Sequence, residues 1–177
     1  MPAVRPIPTE WAKLHRLQVV VSIDGLQPEH DVRRTPATYD RILKHIAGHQ
    51  ITVHCTVTRQ QVRRDGYLQE FLEYWQANPH TRLIWVSLYT PQVGELSMER
   101  LTPEDRARVV ADLRRLRPLI PKLQMLDGML NVYAYDWGDG KATAGVRAYL
   151  FSADAADYVR REEPAWQAWL QGLPVPA

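Results

Sequence analysis

The chain is poorest in cysteine. Cys55 is the single thiol in 177 residues, which excludes a fold built on disulfides. No apolar run approaches the roughly 20 residues of a membrane span, so no membrane is expected as a partner. Met1 to Glu10 lacks the apolar core of a secretory signal, and the expected address is a reducing cytoplasm. Charge of one sign is also scarce. The net charge is +2, and arginine pairs such as Arg63-Arg64 and Arg114-Arg115 are interleaved with acids, which argues against a nucleic-acid partner. What is present is an ordinary globular composition, 45% hydrophobic and 24% charged, enough for one domain with a core.

Strand and helix patterns alternate along the chain. After a proline-punctuated start, Thr9 to Arg16 reads as a short helix with Thr9 as its cap. Gln18 to Ile23 is a continuous β-branched run, the mark of a strand covered on both faces. Asp24-Gly25 ends it, and a polar loop is expected through Arg34. Thr35-Pro36 predicts a helix start, with Tyr39, Ile42, Leu43, Ile46 and Ala47 as its apolar stripe and Gly48 as its stop. Ile51 to Thr58 reads as a second strand. Asp65-Gly66 opens a helix with Leu68, Phe71, Leu72 and Trp75 on its apolar face, ended by Asn78-Pro79. Arg82 to Tyr89 reads as a third strand. Thr102-Pro103-Glu104-Asp105 is a helix start with cap, proline and first-turn acids, followed by the stripe Val109, Val110, Leu113 and Leu116. Met129 to Tyr133 is expected as a fourth strand.

Strands starting near 18, 51 and 82 are 33 and 31 residues apart, one strand–helix unit each. That predicts an α/β fold with a parallel sheet of three to four units, a half-barrel or small open sheet, since an eight-unit barrel needs about 250 residues. Residues 1–17 form an N-terminal extension, 18–133 the α/β domain, and 134–177 a divergent tail with a terminal helix over Ser152 to Gln171.

Function collects at the C-terminal ends of parallel strands. Three clusters fall there: Ser22, Asp24, Glu29, His30, Asp31, Arg33 and Arg34; then His54, Thr56, Thr58 and Arg59; then Ser87, Tyr89, Thr90, Gln92 and Glu95. Alternation puts His54, Thr56 and Thr58 on one strand face, where polar side chains suggest a ligand cavity. Turn chemistry and backbone-bonded hydroxyls are the competing reading. Other patterns read as structural. His45 and His49 have metal-ligand spacing, but Gly48 ends the helix between them. Glu29-His30-Asp31 are consecutive and do not face one ion. Cys55 points away from its neighbour His54 and reads as a buried thiol. Asp136 to Lys141 has neither phosphate-loop nor calcium-loop spacing and reads as a turn. No metal site is expected, and no catalytic residue is assigned.

Taken together, the clusters resemble the radical SAM superfamily. The likeness runs over about residues 10–130: Val19-Val20-Val21-Ser22-Ile23-Asp24-Gly25, His30-Asp31, Arg34, the helix from Tyr39 to Leu43, the strand Thr52 to Thr58, Tyr89-Thr90-Pro91-Gln92-Val93-Gly94-Glu95, then Leu101-Thr102 and Arg106. The resemblance implies a partial (β/α)6 barrel that cleaves S-adenosylmethionine reductively with a 4Fe-4S cluster. In that family the cluster sits on a CxxxCxxC loop, and three thiolates hold it while one iron stays open. This chain has no such loop, nor the glycine-rich segment after the second strand. What it resembles is the family's fourth to sixth units. The expectation is a truncated or degenerate radical SAM domain, inactive alone and without a cluster of its own. The alternatives are the C-terminal subunit of a split enzyme, a binding or interaction module on the same fold, or an unrelated small α/β enzyme with His54 or Asp24 as general base. Carried over, the resemblance implies cofactor contacts at Ser22, Asp24, Arg34, His54, Thr56 and Thr58, and puts Gln92 and Glu95 on the substrate side. It also implies an exposed edge at the first strand, to be met by a separate N-terminal half or by a homo-oligomer.

Overall fold

A computed structural model describes residues 6–90 and 97–134. The chain divides into two compact units, Met1–Met125 and Leu126–Ala177. The first holds a 3-10 turn, Thr9–Lys13, then β1 (Val19–Ser22), α1 (Gln27–Arg34), α2 (Tyr39–Ile46), β2 (Ile51–Val57), α3 (Arg59–Val62), α4 (Tyr67–Ala77), β3 (Thr81–Leu88) and α5 (Pro103–Leu116). The second contributes α6 (Asp127–Ala134) to the described residues. The architecture is mixed α/β: a three-stranded open sheet, order β1-β2-β3, all parallel, with six helices among the described residues. No helix among the described residues is long and apolar enough to cross a membrane. The expected terminal helix over Ser152 to Gln171 and the turn at Asp136 to Lys141 lie outside the described residues.

Parallel register divides the sheet into two unlike faces. Val19 sits beside Ile51, Val21 beside Val53, and Val53 beside Ile84. Side chains alternate along each strand. One face therefore carries Ile51, Val53, Cys55, Val57, Ile84, Val86 and Leu88, all buried. Helix α4 packs on β3 and brings Phe71, Leu72 and Trp75 into this core. Tyr39 of α2 joins them, its ring 5.5 Å from that of Trp75. Helices α3 and α5 pack against α4. The opposite face carries Val20, Ser22, Thr52, His54, Thr56, Leu83, Trp85 and Ser87, and of these Thr52 alone is buried.

Helix α5 begins as its sequence implies. Thr102 and Asp105 form a reciprocal capping box, and Val109, Val110, Leu113 and Leu116 are buried. Helix α4 likewise follows Gly66 and buries Leu68, Phe71, Leu72 and Trp75.

Five local expectations are corrected. The polar stretch after Gly25 is a helix, α1, not a loop. Pro28 and Glu29 start it and Arg33 and Arg34 complement its C-terminal dipole, while His30 is its one buried residue. Thr35-Pro36 does not open α2. Thr35 N and Oγ1 both bond back to Asp31 O, at 3.2 and 2.6 Å, and close α1. Thr9 does not cap the first turn; Pro8 precedes it and the turn ends at Lys13. Met129 to Tyr133 is helical within α6, where Met, Leu and Ala outweigh one β-branched valine. Finally, β1 is not covered on both faces: Val20 is 46% exposed, and among the described residues the strand lies at the edge of the sheet.

Candidate functional site

The C-terminal ends of the strands separate the candidate residues into two groups. The first lies on the open sheet face. Ser22 is the register partner of His54, and His54 of Trp85. One residue pair further on, Thr56 is opposite Ser87. Parallel pairing thus places three short polar side chains and one imidazole within reach of each other. Ser87 Oγ lies 3.1 Å from His54 Nε2 and 3.1 Å from Thr56 Oγ1. The three groups form a hydrogen-bonded chain in which either hydroxyl can donate. Trp85 stands beside it, 38% exposed, its Nε1 donating to Gln124 Oε1 at 2.9 Å. Nearer the N-terminal end the same face holds Val20 and Leu83 on either side of the buried Thr52, whose Oγ1 accepts from Gln18 Nε2 at 2.9 Å.

The second group is the turn from β1 into α1. Asp24 is buried and accepts from Arg34 Nε at 2.6 Å, with Arg33 Nε 3.6 Å away. Arg33 also pairs with Glu99. His30 Nδ1 accepts from Asp24 N at 3.0 Å and Nε2 meets Ala37 O at 2.9 Å, so Nε2 carries the proton. Gly25 holds φ at +129°. A Cβ there would lie 2.6 Å from Tyr67 Oη. Tyr67 Oη accepts from Leu26 N at 2.7 Å and donates to Glu29 Oε2 at 3.2 Å. Burial, followed by the Glu29 carboxylate, pushes its phenol above the ordinary tyrosine range, so it stays a neutral hydroxyl. The turn is therefore clamped by α4 from below and by two arginines from α1. One oxygen, Asp24 Oδ1, is buried with no hydrogen-bond partner among the described residues.

The structure brings together Ser22, His54 and Thr56. It places Asp24 and Arg34 in the clamp, where they bond to each other. Thr58 sits at neither: buried, it caps α3, with its N–H donating to Gln61 Oε1 at 2.7 Å. Gln92 and Glu95 lie outside the described residues. Ser87 belongs to the third strand-end cluster, and its pairing with Thr56 follows once the register is known. Tyr67, Gln61 and Glu99 carry no signal in the sequence; each reaches the turn from a distant element.

Cys55 is buried on the core face, opposite His54, and burial pushes its thiol up to about 12, with the Asp24 charge adding to this. One buried thiol does not fit a 4Fe-4S cluster, which takes three thiolates. Among the described residues no group of three or more His, Cys, Asp or Glu side chains is placed to hold a metal ion. A cleft of about 40 Å³ between the α3–α4 turn and α5 is far below the roughly 300 Å³ of a cofactor pocket. Comparisons with protein-family models, with curated proteins and with solved structures give no match.

Proposed function

We propose that this chain is a half-barrel of the radical SAM type that has no cluster ligands within its 177 residues and does not cleave S-adenosylmethionine alone. Its open sheet face is a wall against which S-adenosylmethionine or a similar small molecule lies, contacted by Ser22, His54 and Thr56. Asp24 and Arg34 act one step back, by holding the β1–α1 turn at the end of that wall. Thr58 acts through the start of α3.

The observation that carries this reading is the asymmetry of the sheet. Parallel sheets are normally covered on both faces and are apolar throughout. Here one face is a buried apolar core, and the other ends in a half-exposed His54–Ser87–Thr56 chain. A barrel segment has that division, since one face meets helices and the other faces inward.

A second reading is a split enzyme in a reducing cytoplasm. It is favoured by the single thiol Cys55. A separate polypeptide would then supply the three thiolates.

Anaerobic reconstitution with iron and sulfide, followed by iron analysis and calorimetric titration with S-adenosylmethionine, tests both. The expected result is no stoichiometric iron, with S-adenosylmethionine binding weakened about five- to thirtyfold by His54→Ala and Thr56→Val in folded protein. That is the loss of one or two hydrogen bonds at about 1 kcal/mol each. Stoichiometric cluster in the chain alone, or binding indifferent to both substitutions, overturns the reading.

A further inference from the structure

We propose that Ser87 and His54 are a nucleophile–base pair that accepts an acyl group from activated esters, a slow esterase site on the open sheet face. The inference goes beyond the ligand reading above and needs neither S-adenosylmethionine nor a cluster, so either can fail without the other.

Ser87 Oγ stands between two partners, His54 Nε2 at 3.1 Å and Thr56 Oγ1 at 3.1 Å. With the imidazole proton on Nδ1, Nε2 accepts from Ser87, and Ser87 accepts from Thr56. That order gives a serine what it needs as a nucleophile. A base lies within reach of its proton, and a donor stabilises the alkoxide as it forms. Strands supply both groups. His54 and Thr56 alternate onto one face of β2, and the register of β3 sets Ser87 opposite Thr56. Geometry built on strands is held more closely than geometry built on loops. His54 and Ser87 are each half-buried, so an ester can reach the hydroxyl from the open face. His30 and Cys55 have no such access. His30 is buried with both ring nitrogens bonded, and Cys55 is buried on the core face.

The step balances with an ester and water. Ser87 Oγ adds to the ester carbonyl while its proton passes to His54 Nε2. The ester C–O bond breaks, and His54 returns the proton to the leaving alcohol. Water then adds to the acyl-serine, giving its proton to the same nitrogen, and the acid leaves as the serine is restored. What stands behind the imidazole sets the substrate class. A buried carboxylate on the far ring nitrogen is worth about 10⁴ in rate. Among the described residues no carboxylate hydrogen-bonds the His54 ring. The pair therefore suits esters whose alcohol leaves easily, such as phenyl esters of short acids, and not amides.

The test exposes the full chain to p-nitrophenyl acetate, quenches with acid, and locates the acetyl group by peptide mass spectrometry. Ser87 should carry it. Ser22, exposed on the same face, should stay free. In urea the labelling of Ser87 should vanish, because the pair exists only in the folded sheet. That comparison needs no variant. His54→Gln, folded by circular dichroism, should slow labelling of Ser87 about a hundredfold, the usual share of a general base. Thr56→Val should slow it several-fold. Acetyl on His54 or Ser22 in place of Ser87 overturns the proposal. So does Ser87 labelling as fast in urea as in the folded chain, or labelling indifferent to His54→Gln.

Discussion

Gly25→Ala should be among the most damaging single-methyl additions in the first unit. Two physical effects add. Gly25 holds φ at +129°, a region that side chains rarely enter, at a cost of about 1–3 kcal/mol. The new Cβ would also stand 2.6 Å from Tyr67 Oη, inside contact distance. Tyr67 must then move. It would lose the bond from Leu26 N at 2.7 Å and the bond to Glu29 at 3.2 Å, at about 1 kcal/mol each. The total is about 3–5 kcal/mol, a large part of the 5–15 kcal/mol typical of a domain. Urea denaturation at equilibrium reads it as a lower midpoint at unchanged slope. Tyr67→Phe separates the two effects, because it removes the hydroxyl that the methyl strikes. In that background Gly25→Ala should cost only the backbone share, leaving a coupling of about 1–2 kcal/mol between the two sites. A Gly25→Ala cost below about 1 kcal/mol, or strict additivity of the two substitutions within roughly 0.5 kcal/mol, would refute the clamp.

Acid should weaken the α3–α5 contact through Asp105. Burial raises its carboxyl, but bonds with Thr102 and the cations of Arg59 and Arg108 outweigh that and hold it below its ordinary value. A depressed carboxyl contributes stability above its unfolded pKa of about 3.9, which is lost as pH falls through the lower folded value. Melting curves from pH 5 to pH 2 should show this loss, and Asp105→Asn should flatten it. Thr102→Ala removes the other half of the same capping box and should cost about 1 kcal/mol in urea. Cys55, with its thiol near 12, should react with a disulfide reagent at pH 8 orders of magnitude more slowly than an unfolded thiol, and react fully in denaturant. Comparable native and denatured rates would place Cys55 outside the core.

Short-range patterns made much of this chain legible. The β-branched runs at Ile51 and Arg82, the proline and capping residues at Thr102, and the i, i+3, i+4 stripes of α4 and α5 each state their element within a few residues. Parallel alternation also follows from the strand–helix spacing. Alternation even names the face shared by His54 and Thr56. Helix α1 was not legible, because its apolar stripe is nearly empty. Its stability comes from His30, Arg33 and Arg34 gripping Asp24 and Ala37, contacts that exist only once β1 and α1 are folded together. The covering of β1 was equally hidden. Valines read as fully buried whether a strand is central or at an edge, and the difference is set by what packs beside it. Partition of the candidate residues was likewise a tertiary matter. Asp24 and Ser22 are two positions apart in one segment, yet one is held by arginines beneath the turn and the other stands open opposite His54. Ser87 joined that group only through the register of β2 against β3, and Tyr67 reached Gly25 across 42 residues of chain. Sequence determines local conformation through steric and periodic constraints that act within one element. Which side chains share a face, an edge or a charge is decided by packing between elements, where each contact depends on all the others having formed.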